Sequence, residues 1–231
     1  MAKKLYEESN IQAIADSIRA KNGTTTTYKT SEMAAAIDSI TTGGGDSGGE
    51  DTLAAYVNGS VTTYESELVT RVYESAFYGY SQLTEISLPN ATEVLMSAFR
   101  GCYNLVTVNL PNVTSIGDQS FYGCTKLTSI TLPNLITMGQ SAFHGCPKLA
   151  IVDLPKVTSI PVYAFYNCYE ANLILRNETM VTLENANGFN GARGYVYVPS
   201  ALVDTYKADS VWSTHADVIR AIEDYPDITG G

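Results

Sequence analysis

Four cysteines have the clearest capacity for chemistry in this chain, and each lies 22 residues from the next: Cys102, Cys124, Cys146 and Cys168. Thiolates bind zinc when ligands converge on one point, often from C-x-x-C pairs. Single cysteines at one repeat spacing instead form a line, and parallel side chains in a line poorly suit the dihedral angle of a disulfide. The spacing therefore favours buried free thiols that pack as small apolar side chains.

Neither histidine nor glycine provides a stronger case for catalysis. His144 and His215 are the only histidines, and no acid or nucleophile accompanies them in a recognisable pattern. The glycine run from Gly43 to Gly45 lacks the Lys and Ser/Thr that a phosphate-binding loop requires. We therefore predict no catalytic residue, no metal and no cofactor, which means that the chain is not an enzyme.

Charge and hydropathy exclude several classes of partner. The chain has 231 residues, of which 45% are hydrophobic, and its formal net charge is -10. Nucleic acids and anionic membranes attract basic patches, and the 14 Lys and Arg residues form no cluster, so neither is an expected partner. No segment approaches the roughly 20 apolar residues of a membrane span. The N-terminal residues lack the apolar run of a secretory signal.

An internal repeat of 22 residues organises the middle of the chain. Each repeat has a Phe that follows a small residue and precedes, by two positions, a Gly or an Asn. These phenylalanines are Phe77, Phe99, Phe121, Phe143 and Phe165. Asn is the best substitute for Gly in a left-handed conformation. The replacement of Gly by Asn167 in the last repeat therefore indicates that this position requires a left-handed backbone. Apolar residues such as Ile86 and Leu88 precede a proline, here Pro89, that ends a short strand.

This pattern predicts a repeat solenoid. Each unit reads as a short strand, a turn, a second extended piece and a helical turn around the Phe that the Gly terminates. One unit cannot enclose a core, but stacked units bury a continuous one, with equivalent residues about 4.8 Å apart where parallel strands pair. We expect a right-handed solenoid with the ladder of phenylalanines as its core.

The motif A-F-x-G-C-x-x-L-x-x-I-x-L-P-N resembles the BspA-type leucine-rich repeat, and the match extends from residue 66 to about residue 175. The resemblance implies a leucine-rich repeat solenoid of short parallel strands and helical turns. It also implies a binding function, because this family is known from surface and adhesion proteins. Fold alone does not determine function, so the partner must be sought in the residues that vary between repeats.

The segments around the repeats predict caps for the ends of the solenoid. Residues 51–231 form the predicted solenoid domain, in which residues 51–75 are an atypical first unit and residues 190–225 a C-terminal cap. In the first unit only Val69 and Val72 keep the phase of the repeat.

The predicted C-terminal cap resembles the ending of many BspA-type proteins. It begins with Tyr195 to Pro199, a segment that imitates a final strand with its proline. Leu202, Val203 and Tyr206 then share one helical face. We expect Trp212, the only tryptophan, to cover the core and not to bind a ligand.

Residues 1–41 form a different, helical module, and the Gly-rich residues 42–50 link it to the solenoid. Two short amphipathic helices are predicted in the module. Their candidate anchoring residues are Ile11, Ile14, Ile18, Met33 and Ile37. Helices this short hold too little core to be stable alone, so we expect them to dock on a partner or to self-associate. The module resembles an N-terminal segment of minor structural and tail-associated phage proteins, which implies attachment to a virion.

Alternation within the predicted strands places the residues between buried positions on the outer face of the solenoid. Two outward ladders result, and a third line follows the phenylalanines. The first ladder is Glu85, Thr107, Ser129 and Ile151, the second is Ser87, Asn109, Thr131 and Asp153, and the third line is Tyr78, Arg100, Tyr122, His144 and Tyr166. The aromatic character of the third line suits recognition of sugars or proteins. The alternative is that its tyrosines only cover the turns.

Together these features predict a non-enzymatic binding protein of a phage virion, associated with the tail or baseplate. Residues 1–41 would contact other virion proteins, and the solenoid would face a host surface protein or glycan. With about five repeats the binding face is small, so many copies are expected to act together. The alternative is a bacterial cell-surface adhesin of the same repeat family. A sugar-processing enzyme would need an acid pair that we do not find.

Deleting residues 1–41 tests the predicted attachment. The shortened chain should no longer sediment with particles, whereas its solenoid should keep its thermal unfolding transition, because a flexible linker separates the two. Immunoblotting of sedimented particles measures the release, and circular dichroism of the purified chain measures the transition. Unchanged particle association would contradict the anchoring role.

Overall fold

Successive coils of the chain each add one short strand to a large parallel sheet, and most add a second strand on another side. The computed structural model describes residues 62–65 and 69–229. Its strands are β1 (Thr63–Glu65), β2 (Arg71–Val72), β3 (Glu85–Ser87), β4 (Glu93–Val94), β5 (Thr107–Asn109), β6 (Ser115–Ile116), β7 (Ser129–Thr131), β8 (Thr137–Met138), β9 (Ile151–Asp153), β10 (Ser159–Ile160), β11 (Asn172–Ile174), β12 (Thr182–Leu183), β13 (Val196–Val198) and β14 (Ile219–Ala221).

Helical elements lie in the C-terminal part of the described chain. The α-helices are α1 (Val203–Ala208) and α2 (Pro226–Thr229). Short 3-10 helices accompany them at Ala186–Gly188, Ser200–Leu202, Trp212–Val218 and Ile222–Asp224. Within the described ranges, no helix has the length and apolar character needed to cross a membrane.

The strands follow the repeat in their pairing. β1, β3, β5, β7, β9, β11, β13 and β14 form one parallel sheet in that order, and β2, β4, β6 and β8 form a second, while β10 pairs with β12. Ile86 pairs with Val108, and Val108 with Ile130, as a period of 22 requires. The register changes at β11, because Val152 pairs with Leu173, which is 21 residues later. The predicted solenoid of short parallel strands is confirmed.

The predicted ladder of phenylalanines forms the core. The rings of Phe77, Phe99, Phe121, Phe143 and Phe165 are buried, and consecutive centroids lie 5.0, 5.0, 5.3 and 5.2 Å apart. The backbone reinforces this stack, because the N–H of Phe99 donates to the carbonyl of Ser120 at 2.7 Å and that of Phe121 to Ala142 at 2.8 Å. Ring stacking and hydrogen bonding therefore fix each coil on the next.

The segment around each phenylalanine consists of hydrogen-bonded turns, and two left-handed residues keep these turns from continuing as a helix. The first is at the predicted Gly position, where Gly101 has φ of 74° and Asn167 has φ of 59°. The second lies two residues before the Phe and was not predicted. Its φ is between 55° and 59° at Ser75, Ser97, Gln119, Ser141 and Tyr163. The segment is consequently a series of tight turns stacked from coil to coil.

The repeats begin earlier than the phase of Val69 and Val72 indicated. β1 pairs in register with β3, and Tyr64 occupies the position of Ile86. The Tyr64 ring centroid lies 5.7 Å from that of Phe77, at the start of the phenylalanine ladder. An aromatic residue concealed the phase, because the later repeats have aliphatic Ile or Val at this position.

Tyr206 and Trp212 close the C-terminal end of the core around Val181. Both side chains are fully buried. The hydroxyl of Tyr206 accepts from the N–H of Val181 at 2.7 Å, and the indole of Trp212 donates to the carbonyl of Val181 at 2.7 Å. The prediction that Trp212 covers the core is confirmed. Leu202 and Val203, predicted on the same helical face as Tyr206, are only half-buried.

The sequence suggested that the strand at Val196–Val198 is the final one, but β14 follows it. β14 pairs with β13 in parallel and extends the large sheet by one strand, with Ile219 beside Val196. Three residues carry too little alternation to be recognised as a strand, and the surrounding helical pattern concealed them.

Several predictions concern residues outside the described part of the chain. These are the helical module of residues 1–41, its anchoring residues Ile11, Ile14, Ile18, Met33 and Ile37, and the linker of residues 42–50. The corresponding boundaries stay predictions.

The buried stack predicts the effect of removing one ring. Phe121→Ala should lower the free energy of unfolding by about 3–5 kcal/mol, because it empties a fully buried site between two stacked rings. Chemical denaturation followed by circular dichroism measures the change. Lys126→Ala, at an exposed position of the same coil, is the control and should change stability by no more than about 0.5 kcal/mol. Equal stability of the two variants would contradict the core assignment.

Candidate functional site

The side chains that follow the phenylalanines form one continuous stack, here called the aromatic stack. It consists of Tyr78, Arg100, Tyr122, His144 and Tyr166. The Arg100 guanidinium carbon lies 5.8 Å from the ring centroid of Tyr78 and 4.8 Å from that of Tyr122. The His144 centroid lies 4.7 Å from that of Tyr122 and 5.1 Å from that of Tyr166. Each Phe points into the core, so the next residue points outward and meets its equivalents on adjacent coils.

Contacts within the aromatic stack occupy the ring faces that a sugar would need. Arg100, Tyr122 and His144 are half-buried, while Tyr78 at the end of the stack is 58% exposed. Arg100 also donates a hydrogen bond to the side-chain oxygen of Gln119. Burial lowers the pKa of His144, which favours the neutral ring at pH 7. This arrangement favours the interpretation that the stack covers the turns, with only ring edges and the Tyr78 end open to a ligand.

The first outward ladder lies on the outer face of the large sheet, as its register requires. Glu85 pairs with Thr107, Thr107 with Ser129, and Ser129 with Ile151. Glu85, Ser129 and Ile151 are exposed, and Thr107 is half-buried. In the part of the chain that the structure describes, no side-chain hydrogen bond or ion pair engages Glu85, Thr107 or Ser129. The polar side chains of this ladder are therefore free of internal polar contacts within the described ranges.

The second outward ladder is partly engaged within the protein. Asn109 donates a hydrogen bond to the hydroxyl of Ser87 at 3.1 Å. Asp153 accepts from Arg176 in an ion pair of 3.0 Å. Thr131, between these pairs, is exposed. The central outer face, which combines Thr131 with the first ladder, is thus a part of the described sheet that has free polar groups.

Two arginine–tyrosine pairs lie near the C-terminal end and were not predicted from the sequence. The Arg193 guanidinium carbon lies 5.8 Å from the ring centroid of Tyr169, and that of Arg220 lies 4.6 Å from the centroid of Tyr195. Tyr169 and Tyr195 are 45% and 40% exposed. Arg193, Tyr195 and Arg220 follow the break in the repeat, where the 22-residue phase no longer aligns equivalent positions. The pairing of Tyr197 with Arg220 in neighbouring strands brings Arg220 close to Tyr195, and no pattern in the sequence indicated this pairing.

The histidines do not form a metal site with neighbouring residues. His215 places Nε2 2.9 Å from the carbonyl oxygen of Ala186 in the C-terminal cap. His144 belongs to the aromatic stack. The described ranges contain no group of three or more His, Cys, Asp or Glu side chains that could hold a metal ion.

Comparison with known families agrees with the strand register and the phase of the repeat. The BspA type leucine rich repeat region matches residues 55–186, in six copies. The chain belongs to the BspA-type leucine-rich repeat family. The match begins before residue 66, in agreement with the position of Tyr64 in β1. Proteins with leucine-rich repeats of this type mediate protein binding, and the fold suggests binding or adhesion for this BspA-type chain.

Solved structures with similar folds are also leucine-rich repeat proteins. A protein from T. pallidum is 25% identical, with 64% of this chain and 76% of that chain covered and a TM-score of 0.47. A protein from Bacteroides ovatus ATCC 8483 is 24% identical, with 70% and 42% covered and a TM-score of 0.54. A leucine rich cell surface protein from Faecalibacterium prausnitzii A2-165 is 24% identical, with 66% and 47% covered and a TM-score of 0.50.

The BspA-type chain corresponds to only part of each of these proteins. It spans less than half of the B. ovatus and F. prausnitzii proteins, which share its fold. No curated protein matches the sequence significantly.

The cysteines of the BspA-type repeats are buried and free. Each thiol donates to the carbonyl of the phenylalanine 25 residues earlier, from Cys102 with Phe77 at 3.0 Å to Cys168 with Phe143 at 2.9 Å. The predicted packing role is confirmed, and this hydrogen bond between coils adds to it. Burial raises the pKa of Cys102 to about 12 and raises that of Cys168 well above its ordinary value.

These pKa values predict unreactive thiols and a loss of stability at high pH. The folded Cys102 keeps its proton at pH values where the unfolded thiol has lost it, so the free energy of unfolding should fall as the pH rises above about 9. Iodoacetamide at pH 8 should label no cysteine in the folded protein and all four after unfolding, as mass spectrometry will measure. Cys102→Ala should reduce the pH dependence. Rapid labelling of the folded protein would contradict the predicted burial.

Proposed function

We propose that this protein is a non-enzymatic adhesin-type binding protein that uses the central outer face of its solenoid. One observation carries the proposal. On this face the first ladder presents Glu85, Thr107 and Ser129 without side-chain partners among the described residues, over a backbone that ring stacking and hydrogen bonds hold rigid. A partner that binds these side chains does not have to order the backbone that carries them, which removes one entropic cost of binding.

Chemistry on this face suits a protein surface. Thr131 and Ser129 are short hydroxyl side chains that both donate and accept hydrogen bonds, and Glu85 adds a negative charge at one side. Ile151, 44% exposed, supplies apolar area beside them. A mixed polar and apolar face of this kind is typical of protein–protein contacts.

Display at a bacterial cell surface is the proposed location, in preference to a phage virion. The BspA-type family, known from surface and adhesion proteins, favours this alternative. The compared protein from F. prausnitzii is described as a cell surface protein, although its similarity concerns the fold. The virion reading depends on the resemblance of residues 1–41 to phage proteins. Under either reading we propose these residues as the attachment segment.

A face this small binds weakly as a single copy. Arrays of chains on one surface would convert weak contacts into strong attachment, because the second contact forms at a high effective concentration. We therefore propose that the solenoid acts in many copies.

Matched substitutions on the two sheets test the proposal. Thr131 on β7 and Thr137 on β8 are both exposed strand residues, on the large and the second sheet. Thr131→Arg should abolish adherence of beads coated with the full chain to intact bacterial or eukaryotic cells, because it places a long cation across the proposed face. Thr137→Arg should leave adherence unchanged. Flow cytometry measures adherent beads, and free wild-type chain should compete.

Three outcomes would contradict the proposal. They are an equal loss in both variants, no loss in Thr131→Arg, and the absence of saturable adherence by wild-type beads. Antibody labelling of intact producing cells and of purified particles separately tests the location. Labelling of particles alone would favour the virion reading.

A further inference from the structure

We propose that the C-terminal end of the solenoid has a second binding site, which recognises an acidic segment of a protein partner. The site is the Arg–Tyr cluster, defined as Tyr169, Arg193, Tyr195 and Arg220. It extends the proposed binding role along the outer face of the large sheet to its C-terminal end, where Tyr195 and Arg220 continue the two outward ladders. The proposal depends on three properties of the cluster: its fixed geometry, its positive charge without an ion-pair partner and the orientation of its guanidinium groups.

The last coils of the solenoid fix the geometry. The N–H of Arg193 donates to the carbonyl of Tyr169 at 2.9 Å, which joins the two residues of the first pair. The N–H of Tyr195 donates to the side-chain oxygen of Asn172 at 2.9 Å. Arg220 lies on β14 and extends over the ring of Tyr195, with its guanidinium carbon 4.6 Å from the centroid. Both arginines are thus held against rings and are partly ordered before a ligand arrives.

Charge pairing distinguishes these arginines from two others in the protein. Arg71 and Arg176 form ion pairs with Glu93 and Asp153. Across the described ranges, Arg193 and Arg220 form no ion pair with a carboxylate. Two cations therefore remain uncompensated in a chain whose formal net charge is -10.

Nearby carboxylates form no ion pair with the cluster in the part of the chain that the structure describes. Glu223, three residues after Arg220, accepts from the backbone N–H of Ser200 at 3.0 and 3.2 Å. Glu170, next to Tyr169 in sequence, forms no ion pair within the described part of the chain. Arg220 uses one N–H for the carbonyl of Ile219, at 2.9 Å, which leaves its other donors for a ligand.

The orientation of the pairs favours a carboxylate over a neutral sugar. A sugar ring would have to stack on a tyrosine face, and a guanidinium already lies over each of these rings. A carboxylate instead approaches the edge of the guanidinium in its plane and forms two parallel hydrogen bonds, which leaves the contact with the ring intact. Exposed Tyr and Arg are also the residues most enriched at the energetic centres of protein interfaces. Asp or Glu side chains of a polypeptide therefore fit the cluster.

A short labelled oligoglutamate peptide is the probe for this site. The full chain should bind it, with an affinity that falls as NaCl is added, because the contact is ionic. Arg193→Gln with Arg220→Gln should weaken binding about tenfold or more. Lys126→Gln with Lys148→Gln removes two exposed cations elsewhere and is the matched control, which should change affinity less than about twofold. Fluorescence anisotropy measures affinity, and circular dichroism and gel filtration verify that each variant is folded and elutes as wild type.

Further variants separate recognition from general charge attraction. Arg193→Lys with Arg220→Lys keeps the charge but loses the planar fork, so it should bind more weakly than wild type. The proposal would be overturned if the wild type did not bind the peptide. It would also be overturned if the arginine-to-glutamine variant and the control at Lys126 and Lys148 weakened binding equally. Tighter binding of polygalacturonate than of oligoglutamate would overturn it in favour of an acidic glycan. Thr131→Arg should bind the peptide normally, so failure of the cluster and failure of the central outer face give different results.

Discussion

The contact between one coil and the next is the interaction on which the whole structure depends. At the turn, the ring of each phenylalanine stacks on its equivalent about one strand spacing away, and its N–H donates to the following coil. Cys102 adds a third link, because its thiol donates to the carbonyl of Phe77. All three interactions connect nearest neighbours only, so stability accumulates along one dimension. No coil can keep this geometry without an adjacent coil to complete it.

The same spacing has opposite consequences for different side chains on the surface. Long flat side chains such as Arg100 and Tyr122 fill the gap between coils, so they contact each other and form the aromatic stack. On the strands, Thr107 and Ser129 form no side-chain hydrogen bond within the described part of the chain, so their hydroxyl groups have no partner in the protein. Contacts between equivalent side chains thus distinguish the positions that stabilise the solenoid from those that are available for recognition.

Sequence periodicity was sufficient to predict the core, because burial repeats with the coil. Phe121 and Ile130 could be assigned from phase alone, and the left-handed glycines from the substitution of Asn167. Ser97 could not, since a serine with positive φ has no signature in its type. The pairs of Arg193 and Arg220 lie where the register changes, so their equivalents cannot be read from the phase. The sequence therefore predicted the candidate surface as two outward ladders and a third line of residues. Which of these side chains bind one another and which are free depends on side-chain contacts between coils.

Arg220 has a consequence for the outermost strand of the sheet. The carbonyl of Tyr197 points back toward the preceding strand β11, where it accepts from the N–H of Leu175. Arg220 pairs with Tyr197 in parallel, so its carbonyl points back toward β13 in the same way. Carbonyls alternate in direction along a strand, so that of Ile219 faces the open edge of the sheet. A free carbonyl there would be an acceptor for the backbone of another molecule, which is how exposed edges start fibrillar aggregates. The Arg220 guanidinium occupies that acceptor. The side chain thereby takes up one backbone acceptor at which the strand of another molecule could extend the sheet.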